Sequence, residues 1–204
     1  MSSRARALAA ALRRRERATP ARRPALDAST RKALARPLAV VYTDTDDFTR
    51  RVDRHGMLHF LMVFARGVRT LRQVAARHSG RLVKVEADSL LLAFPDAERA
   101  CRGSLAMLEA LERLNRGRPA SERLAFSFGI GFGEVLDLGR DLLGLEVNLA
   151  SKLGEDRARR GEILLTPYAV AALPPEWRSK LRASGHVRFT SRPMRVFRLA
   201  HPQR

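Results

Sequence analysis

Two clusters of carboxylates stand about 40 residues apart. They are Tyr42-Thr43-Asp44-Thr45-Asp46-Asp47-Phe48-Thr49 and Lys84-Val85-Glu86-Ala87-Asp88, and each puts an aspartate at the end of an apolar, β-like run. Brought together, Asp44 and Asp88 can hold a pair of divalent cations, and a metal pair is how proteins handle triphosphates. The Thr45 carbonyl offers one more hard oxygen of the kind Mg²⁺ accepts. The amides of Asp47, Phe48 and Thr49 open a helical pattern, and a helix start presents N–H groups and a positive dipole end to phosphate. Lys84 is placed either to read a base or phosphate, or to pair with Glu86 on its own strand face. In a third cluster, Asp141 to Leu153, Asn148 and Lys152 lie four residues apart. They share one helix face, directed at a ligand or at solvent.

The elements that must position these groups follow from hydrophobic period. Leu38 to Tyr42 is a short apolar run, hence a buried strand. Phe48 to Ala76 carries apolar residues at helical spacing, with a break expected at Gly56. Arg81 to Glu86 and Leu90 to Phe94 read as strands joined by a hairpin turn at Ala87-Asp88-Ser89. A helix is expected over 96–114, strands over 124–132 and 134–138, a helix over 145–159 and a strand over 162–166. A closing strand pair is expected around 187–189 and 196–199. The order β-α-β-β-α-β is the ferredoxin-like arrangement, so the fold class is α+β with additional C-terminal strands. In that topology the end of the first strand and the tip of the hairpin face one edge, and these are the places of Asp44 and Asp88.

The net charge of +18 points towards nucleic acid or an anionic membrane, but half of the excess sits on residues 1–36, with eleven basic and two acidic residues. This Arg/Ala-rich segment, with Pro20 and Pro24, reads as a short basic helix over 4–17 and a linker, a solvated tail able to contact an anionic partner. Residues 37–204 form the second unit. The basic residues are 35 arginines and only four lysines, Lys32, Lys84, Lys152 and Lys180, so each lysine stands out against the composition. No apolar run reaches the length of a membrane span, and Leu8 to Leu12 is too short for a signal peptide, so a cytoplasmic location is expected. The single cysteine, Cys101, excludes an internal disulfide and reads as a small core residue.

Taken together, the clusters resemble the class III nucleotidyl cyclase catalytic domain over residues 38–200. Asp44 to Thr49 is similar to the family's Asp-x-x-Gly-Phe-Thr, and Lys84 to Asp88 to its Lys-x-x-Gly-Asp. Gly129-Ile130-Gly131-Phe132-Gly133-Glu134-Val135 is similar to Gly-Ile-His-x-Gly-x-Val. Gly144 to Leu153 is similar to Gly-x-x-Val-Asn-x-Ala-x-Arg-Leu, and Gly161 to Thr166 to the strand that follows it.

The resemblance implies an adenylate cyclase, making 3′,5′-cyclic AMP and pyrophosphate from ATP with two Mg²⁺ or Mn²⁺ ions. Asp44, Asp88 and Thr45 would be the metal ligands, and Asp47, Phe48 and Thr49 would meet the phosphates. Lys84 and Asp141 would read adenine, Asn148 would orient the ribose, and Lys152 would stand for an arginine that stabilises transition-state charge. Metal ligands and base readers would come from opposite subunits of a head-to-tail homodimer. Three departures from the motifs matter: Asp47 and Ala87 replace glycines, and Lys152 replaces the arginine. They motivate a second reading, a degenerate domain acting by nucleotide binding or dimerisation without catalysis. Guanylate cyclase is a weaker variant, because Glu86 is two positions out of register with Lys84.

Overall fold

Strand β1 (Ala35–Thr45) is the axis of the molecule, and its alternation explains the layers around it. In the computed structural model, which describes residues 2–45, 47–189 and 192–201, Ala39 and Val41 face one apolar cluster while Val40 and Tyr42 face another. The first cluster is roofed by α4 (Met57–Arg77) and α5 (Ala97–Asn115), the second by α6 (Leu145–Asp156). A strand buried on both sides must be apolar at successive positions, which is why residues 39–43 read as an unbroken run.

β1 begins at Ala35, earlier than its apolar stretch, because it pairs along its whole length with β4 (Phe126–Asp137), from Ala35↔Leu136 to Thr45↔Phe126. The same pairing corrects the expectation of two strands over 124–138. β4 passes through Gly133, which is matched with Leu38, without interruption. On its other side β1 pairs with β3 (Ser89–Phe94), and β3 with β2 (Arg81–Glu86). The order β2-β3-β1-β4 is the ferredoxin-like core. It continues through β6 (Ile163–Leu165) to the closing hairpin of β8 (Arg192–Leu199) and β7 (Leu181–Phe189).

The expected break at Gly56 is present: α3 (Phe48–His55) ends there and α4 starts, with Gly56 at φ 83°. α6 stops at Asp156 rather than 159, its end closed by the Ala158 amide on the Leu153 carbonyl. Two short elements were not foreseen. One is β5 (Leu142–Leu143), which folds back on β4; the other is α7 (Pro167–Ala171), capped by the Thr166 hydroxyl.

The N-terminal segment differs most from expectation. α1 (Ser3–Arg17) is the basic helix, but the stretch read as linker forms a second helix, α2 (Arg23–Leu34). Pro20 and Pro24 fall in first turns, where the missing N–H costs nothing, so the residues taken as breakers are starters. Arg15 pairs with Asp27 across this helical hairpin, Arg31 with Glu134, and Arg4 with Asp137. Among the described residues no helix is long and apolar enough to cross a membrane.

Candidate active site

The end of β1 and the β2–β3 turn form the two walls of an open pocket of about 830 Å³, with the start of α3 and the end of α6 completing it. Asp44, Thr45, Asp47, Phe48, Thr49 and Asp88 all line it, so six of the expected site residues meet in one place; Asp46, in the first motif, lies outside the described residues. The two carboxylates are cross-braced. The Ser89 hydroxyl donates to Asp44 Oδ1 at 3.0 Å, and the Thr45 hydroxyl to Asp88 Oδ2 at 2.7 Å. Burial pushes the Asp44 carboxyl up to about 6; the Ser89 hydrogen bond opposes this, and the negative charges of Asp88 and Glu155 add to it. A carboxylate held against burial and like charge favours a cation beside it.

Among the described residues no three His, Cys, Asp or Glu side chains converge as a closed metal cage. The donor set nevertheless suits a hard divalent ion, which is bound through one or two carboxylates and completes its shell with water and phosphate oxygens. Asp44 and Asp88, with Thr45 beside them in the lining of an open pocket, are such a set.

The two glycine replacements sit where the backbone still demands glycine-like geometry. Asp47 has φ 66° and Ala87 φ 50°, both left-handed. Asp tolerates that region and Ala does so at a cost of about 1–2 kcal/mol. The carboxylate charge that Asp47 adds is met by Arg50, with which it forms an ion pair.

A second group assembles elsewhere. The turn between β4 and β5 carries Asp141 across the sheet face to β2, where Lys84 Nζ lies 3.3 Å from Asp141 Oδ1 and 3.0 Å from Glu86 Oε2. Lys84 thus pairs with Glu86 on its own strand and with Asp141, and hydrogen bonding to Glu86, then to Asp141, raises its pKa against the opposing effect of burial. Asn148 is exposed on α6, and Lys152 on the same helix pairs with Asp156 at 2.8 Å. Lys84, Asp141, Asn148 and Lys152 are all absent from the lining of the carboxylate pocket. Their ion-pair partners Glu86 and Asp156 do line it, so Lys84 and Lys152 lie next to the pocket without entering its lining.

Sequence reasoning missed several groups. Tyr42, Ser89, Glu155 and Asp156 also line the pocket; burial, followed by the charge of Glu155, pushes the Tyr42 hydroxyl up to about 12. Ser89, next to Asp88 in sequence, was the legible one. Glu146 was missed entirely. It is 5% exposed, and its Oε2 accepts from the Phe132 amide at 2.9 Å and the Thr166 hydroxyl at 2.8 Å. The signal was Gly131, which stands where the motif has histidine: a Cβ there would lie 2.7 Å from Glu146 Oε2.

No family model matches the chain. It is 26% identical over 125 residues to "Putative adenylate cyclase 3" of Rhizobium meliloti (strain 1021), covering 61% of this chain and 21% of that protein. It is 29% identical over 129 residues to the serine/threonine-protein kinase pkn2 of Myxococcus xanthus, covering 63% of this chain and 15% of the kinase. The chain thus spans about a fifth or less of the curated relatives it matches. Among solved structures, the adenylyl cyclase CyaB from P. aeruginosa superposes with TM-score 0.70 at 20% identity, over 83% of this chain and 96% of that one. The guanylyl cyclase Cya2 gives 0.70 at 20% identity, over 82% and 93%. The adenylate/guanylate cyclase/hydrolase from Silicibacter pomeroyi gives 0.67 at 23% identity, over 82% and 98%. The fold is that of the class III nucleotidyl cyclase catalytic domain, as the spaced motifs implied.

Proposed function

We propose that residues 37–204 form an adenylate cyclase catalytic domain, converting ATP to 3′,5′-cyclic AMP and pyrophosphate across a head-to-tail homodimer. The observation that carries this reading is the Lys84–Asp141 pair at 3.3 Å, a donor beside an acceptor, neither of them in the lining of the carboxylate pocket. The ammonium donates to adenine N1 and the carboxylate accepts from the 6-amino group. In this reading a second copy turned by a two-fold axis would bring one chain's Lys84, Asp141, Asn148 and Lys152 over the other's Asp44 and Asp88.

Two divalent cations, Mg²⁺ or Mn²⁺, held by Asp44, Asp88 and the Thr45 carbonyl, would supply charge neutralisation for the triphosphate and favour ionisation of the ribose 3′-hydroxyl. The chain's own residues do the rest. Amides at the start of α3, from Asp47 to Thr49, face the phosphates. Asn148 orients the ribose so that its 3′-oxygen lies in line with the α-phosphorus, and pyrophosphate departs on the opposite side. Lys152 counters the charge that grows on the phosphate oxygens.

A specific observation favours a second reading, a nucleotide-binding domain without turnover: Lys152 is engaged by Asp156 at 2.8 Å, where the motif has a forked arginine. The test is to incubate the purified protein with Mn²⁺ and either ATP or GTP and to measure cyclic nucleotide by mass spectrometry, with Asp44→Ala as control. Cyclic AMP that disappears in the control supports the cyclase reading. Cyclic GMP from GTP in its place would reverse the base assignment. Nucleotide binding without product, and no gain in Lys152→Arg, would support the non-catalytic reading.

A further inference from the structure

Asp137 closes β4 and is 8% exposed, yet it is charged. Three elements converge on it. Arg81 of β2 donates to Oδ1 at 2.8 Å, Arg4 of α1 donates to Oδ2 at 2.6 Å, and the Gly139 amide donates to Oδ1 at 2.8 Å. The turn beyond it is held just as fully. Arg81 also donates to the Gly139 carbonyl at 3.0 Å, the Ser2 hydroxyl donates to the Leu138 carbonyl, and the Leu138 amide donates to the Asp141 carbonyl at 2.9 Å. Gly139 sits at φ 81°, so the turn's path is tight.

That turn is the segment that delivers Asp141 to Lys84. Its two anchors on β2 depend on an irregularity. Arg81 and Lys84 are three residues apart, which in a regular strand puts them on opposite faces. The register of β2 against β3 shifts between Leu82 and Lys84, and Val83 is the extra residue. A bulge of this kind re-aims the following side chain, so both cations reach the same hairpin: Arg81 grips residues 137 and 139, and Lys84 grips Asp141.

We propose that Asp137 is a positioning residue for the Lys84–Asp141 pair, and that through Arg4 and Ser2 the N-terminal helical hairpin is a working part of the nucleotide-reading half-site rather than an appendage. The proposal rests on the reading of that pair as the base-recognition group. A buried carboxylate with two arginines is weak as a source of net stability but strong as a fixer of geometry, since removal of one partner leaves charge without its counterion. α1 has no buried residue of its own. Loss of its Arg4 contact therefore loosens the turn without removing core.

The experiment uses the full chain and Arg4→Ala, with Arg4→Lys as the conservative variant. Amide hydrogen exchange at Leu138 and Gly139 is measured together with KM and kcat for ATP in Mn²⁺. The expected result in Arg4→Ala is exchange faster by about tenfold and an ATP KM raised by about tenfold, the size of one charge-assisted hydrogen bond, with kcat within about twofold. Arg4→Lys should recover part of both. Faster exchange with unchanged KM would overturn the positioning role, and unchanged exchange would overturn the node itself. If the native protein makes no product, the catalytic reading fails but the node is still decided. ATP affinity, measured by calorimetry, should then weaken about tenfold in Arg4→Ala, and equal affinity, or no ATP binding by the native protein, would overturn the proposal.

Discussion

Helix α6 lies so close to the sheet that glycine at particular β4 positions sets its height, and a series of alanine substitutions turns this into graded numbers. A Cβ at Gly129 would stand 2.0 Å from the Ala150 carbonyl oxygen, 2.6 Å from the Gly154 amide nitrogen and 2.9 Å from Leu153 Cβ. Two of these are backbone atoms of the helix, so relief requires α6 to rise by about 1.5 Å, the shortfall from ordinary contact. A Cβ at Gly133 would meet only the Glu146 side chain, Cγ at 3.0 Å and Cβ at 4.0 Å, which a small side-chain shift relieves. Overpacking costs about 1–3 kcal/mol, and Gly129→Ala belongs at or above the top of that range. Gly133→Ala belongs near zero, because alanine recovers about 0.5–1 kcal/mol of backbone entropy in a strand. For a chain of this size 1 kcal/mol moves Tm by about 2–4 °C, so Gly129→Ala should unfold about 6–12 °C lower and Gly133→Ala within a few degrees of the native protein. Because α6 carries Asn148 and Lys152, a displacement of about 1.5 Å should also reduce turnover by about 100-fold or more, measured well below either Tm. Circular dichroism melts and initial rates on both variants decide the matter. Equal Tm and equal rates in Gly129→Ala and Gly133→Ala would refute the claim that these contacts set the helix.

Ala87→Gly removes a left-handed alanine at φ 50° and should stabilise the protein by about 1 kcal/mol, read by thermal unfolding; a loss of stability would mean that the turn needs its Cβ. Glu146 gives a pH dependence. Burial raises its pKa against the opposing hydrogen bonds from Thr166 and Phe132, so the folded state binds its proton more tightly than the unfolded state. Its contribution is complete below the ordinary carboxylate value and is lost as pH rises through the raised folded value. Glu146→Gln should therefore flatten the fall in stability over that window, and a denaturation series in which both proteins fall in parallel would remove Glu146 as its source.

The sequence displayed what local pattern encodes. Asp44 and Asp88 were visible because each ends an apolar run, and the ferredoxin-like order alone predicted that those ends share an edge. Gly56 was visible as a break because only glycine adopts its backbone conformation without strain. What escaped depended on partners distant in the chain. Nothing near Gly133 says that β4 continues, since continuity comes from the pairing with β1. Pro20 and Pro24 mark a linker or a helix start equally well until a neighbouring helix decides. Glu146 looks like any acidic residue in a first helical turn until Gly131 opens a slot for it. Arg81 and Lys84 appear to point apart until Val83 is seen as a bulge.

α6 carries Asn148 and Lys152 as well as two residues of the carboxylate pocket, and under the proposed function this shapes how two nucleotide sites would be coupled. Its exposed face presents Asn148 and Lys152 to one side, while Glu155 and Asp156 at its end line the pocket of Asp44 and Asp88. The Lys152–Asp156 pair spans the two. If two copies assemble head to tail, each α6 contributes its lysine to one nucleotide and its terminal carboxylates to the surroundings of the other. A substrate that draws Lys152 forward must then take it from Asp156, leaving that carboxylate free beside the second metal pocket. Under the proposed cyclase reading the two nucleotide sites of such a dimer would be linked through the Lys152–Asp156 ion pair, held by a single ammonium where the motif has a forked arginine.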